Sequence, residues 1–160
     1  MKTKLSIIAA GALLCTAVLV TPAFSHHSFA MYDQNKTVTL TGVVKQFVGQ
    51  ANHAELHFIL IAPDRKGPAK TPDGKYVEWG VEMAGAAAVA AQGITAAAFG
   101  VGTVFSVKLN PLRDGSNFGS RIGAIARCPM DPATNKAKLP EADKHCDSVP
   151  GSTLSGGTTF

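Results

Sequence analysis

Charge is scarce in this chain: Asp, Glu, Lys and Arg make up 16% of the residues, and the formal excess is only +4. Binding to nucleic acid needs a basic stripe with interleaved aromatics, and no such stripe is present, so neither a nucleic acid nor a charged membrane surface is an expected partner. Aromatics are fewer still, at 7%, with a single Trp at position 79. There is no CxxC pair, no Gly-rich phosphate loop, no GxSxG elbow and no internal repeat. These absences remove the common metal-ribbon, nucleotide-binding, hydrolase and solenoid classes. No residue is assigned a catalytic role, and the reading leans away from an enzyme.

Only one long hydrophobic run exists, and it lies at the start. Lys2 and Lys4 precede the apolar stretch from Leu5 to Val20, which leads to Ala23-Phe24-Ser25. That order of basic, apolar and small-residue segments predicts a cleavable secretory signal over residues 1–25. A membrane-spanning helix needs about 20 strongly apolar residues, and Gly11, Thr16, Thr21 and Pro22 dilute or end this run. The expected mature protein is therefore periplasmic or secreted, with no stable membrane insertion. Cleavage after Ser25 removes two lysines and no acid, lowering the formal charge from +4 to +2. About 135 residues remain, enough for one domain with its own core.

Cys15 leaves with the signal, and Cys128 and Cys146 remain. In an oxidising compartment such a pair predicts one disulfide. A metal site using both sulfurs and His145 is the less favoured alternative, since only one His adjoins the pair.

Period-two alternation predicts strands over 37–47, 54–61 and 76–83, with shorter ones over 104–109 and 121–126. Between the second and third lies a long hairpin loop containing Asp73-Gly74. The Ala-rich stretch Ala84 to Gln92, stopped by Gly93, predicts one short helix. Five short strands and a helix give a mainly β fold: a small antiparallel barrel of the oligonucleotide/oligosaccharide-binding (OB-like) kind, with a sandwich as alternative. The barrel is expected over residues 26–127. The segment 128–160 reads as a disulfide-stapled, partly disordered tail, because hydrophobic periodicity ends there and the last ten residues are mostly Gly, Ser and Thr.

Cleavage after Ser25 would make His26 the first residue, followed by His27. One α-amine and two imidazoles then offer three nitrogens to a metal, and nitrogen-rich tetragonal coordination suits Cu(II). His53, Glu55 and His57 occupy alternate positions of a strand and share one face, which makes His53 and His57 candidate additional ligands. The alternative function is a non-metal module in which Tyr76, Glu78 and Glu82, on one strand face, hold a small molecule, peptide or glycan. Glu78 and Glu82 stand about 13 Å apart along an extended strand, too far for a glycosidase pair.

The series His26-His27-Ser28-Phe29-Ala30, Tyr32-Asp33, Leu40-Thr41-Gly42-Val43-Val44, Asn52-His53-Ala54, Val77-Glu78-Trp79, Glu82-Met83 and Arg113-Asp114-Gly115 resembles domain-of-unknown-function family 6152. That resemblance runs from about His26 to Ile125 and implies a small exported bacterial protein; it implies no activity. Two departures stand out: Asn52-His53 lacks the proline usual between those residues, and the region from Ala86 to Ala98 is unusually Ala-rich. The cysteine-bearing tail lies outside the resemblance.

Overall fold

The computed structural model describes residues 29–157. The expected signal segment, His26 and His27 lie outside the described residues. Five strands form the body: β1 (Val38–Gly49), β2 (His53–Leu60), β3 (Glu78–Ala84), β4 (Val104–Pro111) and β5 (Phe118–Arg127), with α1 (Ala86–Ala91) between β3 and β4. β1 pairs antiparallel with both β2 and β4, β2 with β3, and β4 with β5. A parallel pairing of β3 with β5, Gly80 to Phe118 through Glu82 to Ser120, closes the barrel. The mainly β, OB-like barrel with one short helix is thus the fold observed.

Alternation explains which residues fill it. Ala54, Leu56 and Phe58 of β2 face inward with no exposure, as do Val81 of β3 and Phe105, Val107 and Leu109 of β4. Phe105 is the hub, meeting Phe58 edge-on at 5.1 Å between centroids and Phe99 at 6.1 Å. Such perpendicular pairs set the positive ring edge against a negative face. α1 contributes Val89, and the turn after it Ile94 and Phe99, so the helical excursion plugs one part of the core. The helix runs over Ala86–Ala91, shorter than the alanine run, and Gly93 beyond it takes φ +79°. That left-handed conformation costs glycine no side-chain clash.

After β5 the chain does not leave the domain. Cys128 and Cys146 form a disulfide with Cα atoms 4.8 Å apart, and both are buried. Inside that loop β6 (Met130–Asp131) pairs with β7 (Lys136–Ala137), and beyond it β8 (Thr153–Ser155) adds to β5. Of the segment expected as a disulfide-stapled tail, residues 128–157 are described, and short ladders lie at Met130–Asp131, Lys136–Ala137 and Thr153–Ser155. Its cysteines join Ile61, Val104 and Ala126 in a second apolar cluster outside the barrel core. This explains why Thr41, on the face of β1 opposite Leu40, is 1% exposed rather than solvated. Among the described residues no helix is long and apolar enough to cross a membrane.

Candidate functional site

Two groups of polar side chains are set deep enough to matter, one on the outer face of β2 and β3 and one under the tail. On the first face, register brings Glu55 opposite Glu82, His57 opposite Gly80 and His53 opposite Ala84. His53 Nδ1 lies 3.2 Å from Glu82 Oε1, and His57 Nε2 lies 2.8 Å from Glu55 Oε2. All four side chains are about one-fifth to one-third exposed. The other Glu82 oxygen accepts a 3.1 Å hydrogen bond from the Tyr32 hydroxyl. Burial raises the Tyr32 pKa, and the charge of Glu82 together with that hydrogen bond pushes it up further, so the phenol stays protonated and donates.

Tyr32 reaches this face because its chain segment is tied down. A 3₁₀ turn over Phe29–Met31 leads into Tyr32, which bridges to Leu112. Asp33 N donates to Pro111 O at 2.8 Å, and Arg113 donates its backbone N–H to Met31 O and its Nε–H to Tyr32 O at 3.2 Å. Arg113 therefore anchors the N-terminal arm, while Asp114 accepts from Ser116 N at 2.8 Å and closes the turn. Phe118 forms the far wall. Its ring lies so close over Gly80 that a Cβ there would stand 2.3 Å from Phe118 Cδ2, and its centroid is 6.4 Å from that of His57.

A carboxylate on one ring nitrogen is the usual means of fixing a metal-binding imidazole, leaving the other nitrogen to ligate. His53 with Glu82 and His57 with Glu55 both have that form. Among the described residues, however, no three His, Cys, Asp or Glu side chains converge into a metal-holding group. The face offers two oriented imidazoles, and a metal would need further ligands from elsewhere.

Tyr76, Glu78 and Glu82, considered together as an alternative ligand face, have three different surroundings. Glu82 belongs to the Tyr32–His53 network. Glu78 pairs with Lys45 Nζ at 2.7 Å, with both side chains half exposed. Tyr76, 51% exposed, has Lys70 Nζ 5.6 Å from its ring centroid. Tyr32 was missed as a site residue; its only sequence signal was a place beside Asp33 in the series of short motifs.

The second group lies where the tail crosses β1 and β4. Thr41 Oγ1 is 2.7 Å from Ser106 Oγ and 2.8 Å from His145 Nδ1, and Ser106 Oγ accepts the Cys146 N–H at 2.9 Å. The Arg65 guanidinium donates to Lys144 O and also approaches His145 Nδ1, at 3.4 Å. Burial, then the Arg65 charge, lower the His145 pKa, against smaller opposing effects of Asp147 and Asp143. His145 thus sits in a structural hydrogen-bond chain that docks the tail, beside the disulfide and not in a metal site with it.

A pH prediction follows. A histidine whose folded pKa is depressed takes up its proton first in the unfolded chain, so the stability it contributes is whole above about pH 6.5 and declines as pH falls below that value. The thermal midpoint should drop between pH 7 and pH 5, and His145→Gln should flatten that slope; an unchanged slope in the variant would remove His145 from this role.

A family model described as "Family of unknown function (DUF6152)" matches residues 12–121 of the chain. No curated protein and no solved structure matches it.

Proposed function

We propose, from the premise that this chain belongs to the DUF6152 family of unknown function, that it is an exported copper-binding protein. In this reading residues 1–25 are a signal, cleavage exposes His26, and its α-amine with the imidazoles of His26 and His27 forms the primary site. His53 is the additional ligand, and His57 a more remote one. The observation that carries the reading is the chain of contacts Tyr32–Glu82–His53. Tyr32 stands five residues after His27, and five residues span at most about 17 Å when extended. The N-terminal histidines are therefore within reach of a face that already holds a carboxylate-oriented imidazole.

Copper rather than zinc is favoured by the ligand set: three nitrogens including an amine suit tetragonal Cu(II), which also leads the affinity order of divalent first-row ions. Binding requires the α-amine to lose a proton, so affinity should weaken as pH falls. The test is a copper titration of protein beginning at His26 against protein carrying one extra N-terminal residue, with His53→Ala as a third arm. The extended form should bind at least about 10-fold more weakly, a difference of about 1.4 kcal/mol, and His53→Ala should show a smaller loss. Equal affinity of the first two forms would overturn the reading.

A further inference from the structure

Farther along the outer face of β2, beyond His57, the barrel wall bears an apolar hollow of about 440 Å³. Strand residues Val43, Ile59 and Val104 line it together with Pro68 of the long hairpin loop and Leu139 of the tail. Tyr76 and Lys136 supply its two polar side chains, and no acid lines it. Leu139 is 42% exposed and Tyr76 51%, an open apolar surface where most large side chains of this domain are buried. The volume lies within the range of roughly 300–1,000 Å³ typical of small-molecule sites.

The cations beside the hollow point to what would fill it. Lys136 lines it, and Lys70 stands over the Tyr76 ring. Among the described residues, neither ammonium has a carboxylate within ion-pair distance, whereas the nearby Lys45 and Lys75 are paired with Glu78 and Asp73 at 2.7 and 2.8 Å. An apolar trough with two uncompensated ammonium groups and no acid is complementary to a molecule with an apolar tail and one negative head.

We propose that this hollow binds a single-chain amphiphile with a carboxylate head, its alkyl chain lying along Ile59 and Val104 and its head between Lys70 and Lys136. The site shares no residue with the copper reading and stands or falls independently of it. Several segments build it: β1, β2, β4, the hairpin loop and the tail held by the disulfide. A tail ordered in this way gives the hollow a wall that the barrel alone lacks, since Lys136, Ala137 and Leu139 all come from the loop that the disulfide closes.

The experiment is a titration of the disulfide-intact protein, below the micelle concentration of each probe, with dodecanoate, dodecyltrimethylammonium and butanoate. Dodecanoate should bind saturably with one equivalent, and each of the other two at least 10-fold more weakly. Lys70→Gln combined with Lys136→Gln should weaken dodecanoate binding at least 10-fold while leaving the ligand-free thermal midpoint unchanged, since both side chains are exposed. Leu139→Asp should weaken it as well. Equal binding of the cationic amphiphile, indifference to the two lysines, or association only once micelles form would each overturn the proposal.

Discussion

Phe105→Ala should lower the unfolding free energy of the disulfide-intact domain by about 3–5 kcal/mol, the range for truncating a fully buried phenylalanine. Phe105 has no exposure and is the shared partner of two perpendicular ring pairs, with Phe58 and Phe99. Truncation leaves a void between β2, β4 and the turn after α1, and backbone pairing on both sides of β4 prevents that void from collapsing. A small domain has about 5–15 kcal/mol in all, so the variant should unfold at markedly lower urea. Phe105→Leu should recover roughly half of the loss by refilling most of the volume. A cost below about 1 kcal/mol for the alanine variant in a urea titration would mean that Phe105 is not the centre of the core.

Replacing Cys128 and Cys146 together with serine should cost about 3 kcal/mol, the chain-entropy value for a loop of this size. The sequence separation is 18 residues. The expected damage is local. No tail residue belongs to the main core cluster, whereas both cysteines belong to the second. The barrel strands, Thr41 and Ser106 among them, should therefore keep their amide exchange protection while the residues of β6 and β7 lose theirs. Under the proposed function, copper affinity of a chain beginning at His26 should not change. Global loss of protection would refute the division into a self-sufficient barrel and a docked tail, and loss of copper with the cysteines would return His145 and the two sulfurs to consideration as ligands.

How much of this could be read beforehand depended on how local the cause was. The inward faces of β1 to β3 follow from alternation alone: Val44, Leu56, Phe58, Val81 and Met83 are all core residues. The hairpin loop formed as expected, with Thr71 and Lys75 bonded across Asp73-Gly74. Phe118–Ser120 was missed as the start of β5 because Phe-Gly-Ser lacks alternation; its partner in closing the barrel, Gly80–Glu82, lies about forty residues earlier. Period two places Thr41 on the face of β1 opposite Leu40, and what buries that face arrives about a hundred residues later, with His145. The ladders of the tail are two or three residues long, too short for periodicity to register.

The candidate site divides in the same way. One face for His53, Glu55 and His57 required only a period of two, and they do share it. The pairing of His53 with Glu82, and of Glu82 with Tyr32, depends on cross-strand register and on the arm lying along Pro111 to Arg113, neither of which a single strand encodes.

The position of β8 bears on how the molecule behaves among its neighbours. β5 uses Phe118–Ser120 to close the barrel against β3, but its last residues, Ile125–Arg127, run past β3 and are paired on that side by Leu154 and its two neighbours. Without that cover, the run would present a row of unmatched backbone donors and acceptors, the kind of template on which a second chain can add a strand. Three residues near the end of a Gly- and Ser-rich tail thus keep a barrel with one overlong strand from offering an open edge, and a chain cut before Thr153 would retain its core yet acquire a reason to aggregate.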